Sequence, residues 1–90
     1  MARLELRYVA HISVITGKLA EEYETDAKTL RELVGELDGH YRGFRRTFEN
    51  PDSGKLSLNA MIHYGDKGKP HAAVTDLDAP IRDGGTITFW

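Results

Sequence analysis

The hydrophobic and polar positions near the two ends of the chain alternate with the period of a β-strand. Residues 3–9 place apolar side chains on one face and a mostly charged set on the other, which predicts a strand with one buried side. The buried set is Leu4, Leu6 and Tyr8, and the opposite set is Arg3, Glu5, Arg7 and Val9. Near the other end, the turn signal Asp83-Gly84-Gly85 precedes the β-branched and aromatic run of residues 86–89, which predicts a final strand.

A helix is predicted to begin after Thr29. Thr29 and Glu32 have the spacing of a capping box, in which the hydroxyl accepts a backbone N–H and the carboxylate reaches back to the cap. Apolar residues then recur at i, i+3, i+4 and i+7. They are Leu30, Leu33, Val34 and Leu37. Gly35 weakens a helix interior by about 1 kcal/mol relative to alanine, so its presence predicts a close neighbour. Gly39 or Gly43 is expected to end the helix.

Two further segments lie between the first strand and this helix. Residues 10–17 are expected to form a turn or a short helix closed by Gly17, with a ragged continuation of the strand as the alternative. Residues 19–24 lie between turn-forming residues and suit a second strand with Tyr23 inward. The first third of the chain therefore predicts two strands before the main helix.

The rest of the chain alternates between apolar segments and turns. Residues 41–48 are expected to return three aromatic side chains to the core: Tyr41, Phe44 and Phe48. Residues 50–54 form a turn cluster, and residues 56–63 alternate as a strand. Residues 65–71 are a loop, and residues 72–74 form a short strand or belong to that loop. This order predicts an α+β fold, with one main helix packed on one face of a mixed four- to five-stranded sheet.

Composition narrows the class of protein without changing this picture. The 90 residues make one domain, 1–90, and 40% hydrophobic with 29% charged residues is typical of a globular protein. The net charge of −2 favours neither nucleic acid nor an anionic membrane, so neither is expected as a partner. There is no cysteine for a disulfide or a nucleophile, and no apolar run typical of a signal peptide or membrane span. A cytoplasmic location is expected.

The remaining chemical motifs predict no catalytic, cofactor or metal site. The four histidines, which are His11, His40, His63 and His71, have neither the helix spacing of four nor the strand spacing of two that a metal pair needs. Residues 65–69 lack the spacing of a phosphate-binding loop. Arg42, Arg45 and Arg46 form the densest basic group, which suits an acidic partner or nucleic acid. The slightly acidic chain favours the former.

Several segments keep an order and spacing that identify a family. The first strand leads through residues 6–12 to a turn that ends at Thr16-Gly17. The Thr29-capped helix follows, and Tyr41-Arg42-Gly43-Phe44 comes after the helix. The closing segment is Leu77-Asp78-Ala79-Pro80-Ile81, then Asp83-Gly84-Gly85, then Ile87-Thr88-Phe89. Together, these segments resemble the MoaD/ThiS family of ubiquitin-like sulfur carriers over essentially the whole chain. The resemblance implies a β-grasp fold and a non-catalytic protein that works through protein partners in molybdopterin cofactor biosynthesis or a related pathway. Those partners are an E1-like adenylating enzyme or a larger synthase subunit.

The family's chemistry depends on residues that follow the last strand. There, a short tail ends in a glycine pair whose carboxylate is adenylated and converted to a thiocarboxylate. The present sequence stops at Trp90, and Gly84-Gly85 belongs to the turn before the strand. Two hypotheses stay open: a sulfur carrier whose natural tail is longer, or a non-carrier ubiquitin-like binding module that ends at Trp90.

The exposed face of the sheet is the expected docking surface. The residues predicted to contact a partner are Phe89, Trp90, Tyr64, Arg45 and Arg46. For two of them a structural interpretation competes, in which Phe89 closes the core and Trp90 caps a sheet edge.

Overall fold

The computed structural model describes residues 1–90 as five strands and three helices. The strands are β1 (Ala2–Tyr8), β2 (Ala20–Thr25), β3 (Ile62–Gly65), β4 (Ala72–Val74) and β5 (Thr86–Phe89). The helices are α1 (Ile12–Thr16), α2 (Leu30–His40) and α3 (Phe44–Phe48). None of these helices has the length and apolar character needed to cross a membrane.

The five strands form one mixed sheet in the order β2-β1-β5-β3-β4. The first and last strands of the chain, β1 and β5, run parallel at its centre, where Leu6 pairs with Ile87 and Tyr8 pairs with Phe89. The other neighbours are antiparallel. Residues 72–74, which the sequence left as strand or loop, pair with β3. The predicted α+β fold with a mixed sheet is confirmed.

Helix α2 begins where the capping pattern predicts. The Thr29 Oγ1 accepts the N–H of Glu32 at 3.2 Å. The Glu32 carboxylate accepts the N–H of Lys28 at 2.8 Å, one residue further back than a capping box requires. The apolar stripe of the helix is fully buried, as predicted.

The end of α2 differs from the prediction. The helix runs through Gly39 to His40, and the extended backbone of Tyr41 ends it while the Tyr41 N–H bonds to the Leu37 carbonyl. Gly43 instead begins α3, with a φ of 87°. The prediction of a glycine stop was therefore wrong: the chain leaves α2 at Tyr41 and enters the short helix α3 at Phe44.

The core lies between the helices and one face of the sheet, which we call the inner face. Its buried strand residues are Leu4, Leu6, Tyr8, Ile62, Ile87 and Phe89. The Phe89 ring contacts Tyr8, Phe44 and Phe48, with ring centroids 5.9, 5.0 and 5.1 Å apart. Such aromatic pairs add to the stability gained by burying their area. The predicted return of residues 41–48 to the core is confirmed.

The predicted strand at residues 56–63 is wrong for most of its length. Only its end belongs to β3, and Leu56 instead forms an isolated bridge with Glu49. Residues 57–60 form a turn in which the Ala60 N–H bonds to the Ser57 carbonyl, and Leu58 is 99% exposed. Alternation by itself did not distinguish a strand from a loop that anchors one apolar residue and exposes the next.

The turn before β5 is tied to the start of β1. Gly84 has a φ of 84°, a conformation that glycine adopts without steric cost. Its N–H bonds to the Arg3 carbonyl at 2.9 Å, and the Asp83 carboxylate accepts the Arg3 N–H at 2.8 Å. The predicted role of Asp83-Gly84-Gly85 as the turn before the last strand is confirmed.

Candidate functional site

The sheet has an outer face that no helix covers. All three helices contribute their buried side chains to the core on the inner face. Because side chains alternate along a strand, the residues between the buried ones point outward. The outward residues of the three central strands are Arg3, Glu5, Arg7, His63, Thr86 and Thr88. Most of these residues are at least partly exposed, whereas Thr88 is 8% exposed.

One part of the outer face, on β1 and β2, is charged and paired within the molecule. Arg7 forms an ion pair with Glu5, and Arg3 lies 3.8 Å from Glu22 and 3.4 Å from Glu24. These side chains are about half exposed or more, and exposed pairs contribute only up to about 1 kcal/mol each. The charged side chains of this part of the face are therefore both paired with one another and hydrated.

The opposite end of the outer face is apolar. Phe89 pairs with Tyr8 of β1 and with Ile62 of β3. The next residue on each strand continues this register, so a row across the strand ends is formed by Val9, Trp90 and Met61. The Val9 N–H bonds to the Phe89 carbonyl at 3.0 Å, and the Trp90 N–H bonds to the Met61 carbonyl at 2.9 Å. We call this row, with His63 beside it, the Trp90 patch.

Trp90 is held in place without being buried. Its Nε1–H donates to Nδ1 of His63 at 3.0 Å, and the two rings meet edge to face with centroids 5.6 Å apart. His63 accepts this bond with an unprotonated Nδ1, since the indole nitrogen is only a donor. Trp90 remains 40% exposed and Met61 47% exposed. The patch therefore presents a fixed aromatic ring and a flexible thioether to solvent.

The five residues predicted to contact a partner lie in different parts of the fold. Trp90 lies on the outer face. Phe89 is fully buried at the centre of the aromatic core, as the competing interpretation expects, so its side chain does not lie on the outer surface. Arg45 and Arg46 lie on α3, on the helix side of the molecule. Tyr64 is on the inner side of β3, where it pairs with Ile87.

Tyr64 holds the turn before β5. Its hydroxyl donates to the Asp66 carboxylate at 2.6 Å and accepts the Arg82 N–H at 2.9 Å. Its ring fills the space beside Gly85, where a Cβ would lie 2.8 Å from a ring carbon. Burial, together with the bond to Asp66, raises the pKa of the Tyr64 hydroxyl. With both hydrogen-bonding roles used internally, Tyr64 positions the turn.

A second polar cluster, unforeseen from the sequence, closes the other end of the core. The Glu21 carboxylate accepts hydrogen bonds from the hydroxyls of Tyr8 and Tyr41, both at 2.6 Å, and Lys18 Nζ lies 3.1 Å away. Burial opposes ionisation of Glu21, but the bonds from the two tyrosines and the lysine outweigh it and lower the pKa of the carboxyl. Burial and the bond to Glu21 raise the pKa of Tyr8. A carboxylate held this firmly is a structural anchor and a poor general base.

Sequence reasoning missed two members of the Trp90 patch. Met61 and His63 lay in the segment predicted as a longer strand, and only the pairing of β3 with β5 brings them beside Trp90. Val9 was placed on the outer side of β1 by its alternation with Tyr8, so a signal for it existed. No group of three or more histidine, aspartate or glutamate side chains is arranged to hold a metal ion.

These features define the class of the protein. A mixed five-stranded sheet with its first and last strands parallel in the middle, and helices packed on one face, is the β-grasp fold of ubiquitin-like proteins. No protein-family model matches the chain, and no curated protein matches it in sequence. The fold is therefore recognised through solved structures.

Three solved structures illustrate the likeness. The Haloferax volcanii HVO 2177 protein matches with a TM-score of 0.75 and 16% identity, over 98% of this chain and 80% of that one. Small archaeal modifier protein 1 of H. volcanii matches with a TM-score of 0.70 and 18% identity, over 99% and 95%. A Pyrococcus furiosus protein described as a candidate molybdopterin converting factor, subunit 1, matches with a TM-score of 0.69 and 17% identity, over 99% and 95%. The MoaD/ThiS resemblance is thereby confirmed at the level of the fold.

Proposed function

We propose that this chain is a small ubiquitin-like protein of the MoaD/ThiS type that acts by binding protein partners through the Trp90 patch. The observation that carries the proposal is the row of Val9, Trp90 and Met61 on the one face of the sheet that the protein leaves uncovered. Tryptophan is enriched among the residues that dominate binding energy at interfaces. Its hydrogen bond to His63 fixes the ring before a partner arrives, which lowers the entropy lost on binding.

The partners that we propose are an E1-like adenylating enzyme and a larger synthase subunit. Both follow from the sequence resemblance and agree with the fold shared with a modifier protein and a candidate converting-factor subunit. The interface should have an apolar centre on the Trp90 patch and a polar rim on the charged part of the outer face, as protein interfaces commonly do. The protein itself contributes a surface, and the partner contributes the catalysis.

The test uses the fact that Trp90 is the only tryptophan in the chain. Protein labelled with 5-fluorotryptophan gives one ¹⁹F resonance, which is observed while the unlabelled adenylating enzyme or synthase subunit of the same organism is added. We expect the resonance to shift and broaden with at least one of them. Binding of neither would contradict the proposal.

Variants then locate the interface by calorimetry. Trp90→Ala should weaken binding by about tenfold or more, as removal of a central aromatic anchor does. Leu58→Ala is the matched control, because Leu58 is an exposed apolar residue in the turn of residues 57–60 and outside the patch. Equal affinity of Trp90→Ala and the unaltered protein would show that the patch is not the docking site.

A sulfur carrier and a non-carrier binding module differ in one product. In the carrier, the terminal carboxylate attacks the α-phosphate of ATP and releases pyrophosphate, and sulfide from a donor then displaces AMP to leave a thiocarboxylate. Protein isolated from its natural source and incubated with the adenylating enzyme, ATP and a sulfur donor should then gain the mass difference between one sulfur and one oxygen. If the protein binds its partner through Trp90 but does not gain this mass, the result favours the non-carrier binding module. The Trp90 ring, which a hydrogen bond already fixes on the sheet, suits that role.

A further inference from the structure

The arginines of this chain fall into two groups. Four of the seven form ion pairs with carboxylates inside the molecule: Arg3, Arg7, Arg31 and Arg82. The other three, Arg42, Arg45 and Arg46, lie within five residues of one another and form neither an ion pair nor a side-chain hydrogen bond. All three are exposed. Unpaired guanidinium groups gathered in this way indicate a surface for an anionic partner.

The three arginines line an open groove of about 620 Å³ on the helix side of the molecule. Its other lining residues are Asp38, Gly43, Glu49 and Pro51, and none of the lining side chains is a large apolar one. Glu49 is already paired with Arg31 at 3.5 Å, and one Asp38 oxygen accepts the Arg45 backbone N–H at 3.0 Å. Each carboxylate of the groove thus has a partner within the molecule, whereas the three guanidinium groups have none. We call this site the arginine groove.

Helix α3 presents Arg45 and Arg46 from a fixed base, and Arg42 lies just before its N-terminus. Phe44 and Phe48 anchor it in the core, and the bond from the Arg45 N–H to Asp38 ties it to α2. The Arg45 guanidinium lies directly over Gly35, where a Cβ would be 2.5 Å from Nη2. Only glycine leaves room for that position, which explains the helix-weakening residue in the middle of α2. The close neighbour expected beside Gly35 is therefore Arg45, one of the residues that line the groove.

We propose that the arginine groove binds an acidic peptide segment of a partner protein. Guanidinium groups recognise carboxylates with paired hydrogen bonds, and arginine clusters are a common means of binding acidic motifs. A nucleic acid fits less well, because Asp38 and Glu49 flank the groove and the chain carries a net charge of −2, both of which repel a continuous run of phosphates. A peptide carries its carboxylates on flexible side chains, which can turn toward the arginines and away from the two acids.

The arginine groove and the Trp90 patch lie on opposite sides of the sheet. The groove is formed by α2, α3 and the loop after α3, whereas the patch lies on the outer face. The two surfaces share no residue. The inference therefore does not depend on the proposed docking at Trp90, and each is tested separately.

The direct test is an NMR titration of the ¹⁵N-labelled chain at low ionic strength with a capped octaglutamate peptide. We expect chemical-shift changes at Gly35, Gly43 and residues 45–46, with Thr88 and Trp90 unaffected. A capped glycine–serine peptide of the same length should cause none. Added salt should weaken the octaglutamate complex, because exposed ion pairs are screened.

Charge-matched variants separate the groove from general attraction. The triple variant Arg42→Gln, Arg45→Gln and Arg46→Gln should bind octaglutamate about tenfold more weakly or worse, as expected from the loss of three exposed ion pairs. The control triple variant Lys28→Gln, Lys67→Gln and Lys69→Gln removes the same charge from exposed positions outside the groove and should bind almost normally. If the triple arginine variant does not fold, the double variant Arg42→Gln and Arg46→Gln is used in its place, because it keeps the Arg45 contact with Gly35.

Three results would overturn the proposal. One is equal weakening by the arginine and lysine variants, which would indicate non-specific attraction. Another is shift changes located away from α2 and α3. The third is tighter groove binding by a single-stranded oligothymidylate than by octaglutamate, which would assign the arginines to nucleic acid. Loss of partner binding in Trp90→Ala has no bearing on any of these results.

Discussion

The two faces of the sheet are made by the same strands and differ in what covers them. On the inner face, every central strand contributes fully buried residues that pack against α2 and α3. On the outer face, no helix covers the neighbouring residues of those strands, and all but Thr88 and Gly65 are at least partly exposed. They divide into a paired charged part and an apolar end. The inner face is saturated with internal contacts. The apolar end of the outer face is not, and so it is available to another molecule.

Phe89 and Trp90 show this difference over one residue. The Phe89 ring is in contact with three aromatic rings of the core, while Trp90 has an edge contact with His63 and is 40% exposed. Both are large aromatic residues at the end of one strand. Their roles are assigned by the period of two along β5, which turns one inward and the next outward. A function argued from residue type alone would treat them as equivalent.

The largest effect expected is that of Phe89→Ala. Removal of a fully buried phenylalanine leaves a cavity in the aromatic core and should lower the free energy of unfolding by about 3–5 kcal/mol. Trp90→Ala should lower it by less than about 1 kcal/mol, as for most exposed substitutions. Urea denaturation followed by circular dichroism measures both. Similar losses in the two variants would mean that the faces are not distinguished as described.

Glu21→Ala tests the polar edge of the inner face. The substitution leaves the hydroxyl of the fully buried Tyr8 without its acceptor, and an unsatisfied buried donor costs about 1–3 kcal/mol. We expect a loss of about 2 kcal/mol in the free energy of unfolding. The double variant Glu21→Ala and Tyr8→Phe removes both partners and should recover part of that loss. No recovery would show that the hydrogen bond is not the source of the effect.

The same carboxylate predicts how stability depends on pH. The folded-state pKa of Glu21 lies below its ordinary value of 4.5. Its stabilising contribution is therefore complete above about pH 4.5 and is lost as the pH falls through the folded-state pKa. Hydrogen bonds from Tyr64 and Arg31 also lower the pKa values of Asp66 and Asp78, so these groups act in the same direction.

Comparison with Glu21→Gln isolates the contribution of this one carboxylate. The difference in stability between the unaltered protein and the variant should shrink as the pH falls below 4.5. Urea midpoints measured across this range provide the test. A difference that stays constant or grows towards acid would contradict the assigned direction of the shift.

The smallest effect expected is a gain. Gly35→Ala improves the helix propensity of α2 by up to about 1 kcal/mol, and the atom that the new Cβ displaces is the mobile end of the Arg45 side chain. The variant should unfold at slightly higher urea concentration while binding octaglutamate more weakly, because Arg45 loses its position over the helix. If the variant is less stable than the unaltered protein, Gly35 is needed for the packing of α2 and does more than leave room for the Arg45 side chain.

Local sequence signals accounted for most of the fold. The alternation of residues 3–9, the Thr29 cap with its apolar stripe and the Asp83-Gly84-Gly85 turn each depend on neighbours close in the chain. The strand predicted at 56–63 failed because Leu56 is held by a contact with Glu49, which no local pattern encodes. The extra helix α3 was missed because its five residues are too few to show a helical period, although burial of Phe44 and Phe48 was predicted.

The candidate sites depended more on contacts between distant segments. Trp90 was predicted from its residue type, but His63 and Met61 reach it only through the pairing of β3 with β5. Arg45 and Arg46 were recognised as basic, and the tertiary structure then showed that they lack internal partners whereas four other arginines have them. Which charges are paired is a property of the folded chain, and sequence composition does not contain it.

The most direct test of the central claim is a cross-saturation NMR experiment. The deuterated, ¹⁵N-labelled chain is mixed with the unlabelled adenylating enzyme or synthase subunit that binds it, and saturation is transferred from that partner. We predict strong transfer to the amides of Val9, Met61, Thr88 and Trp90, with little at α2 or α3. Transfer confined to α2 and α3, with β5 unaffected, would contradict the assignment of the outer face as the docking surface.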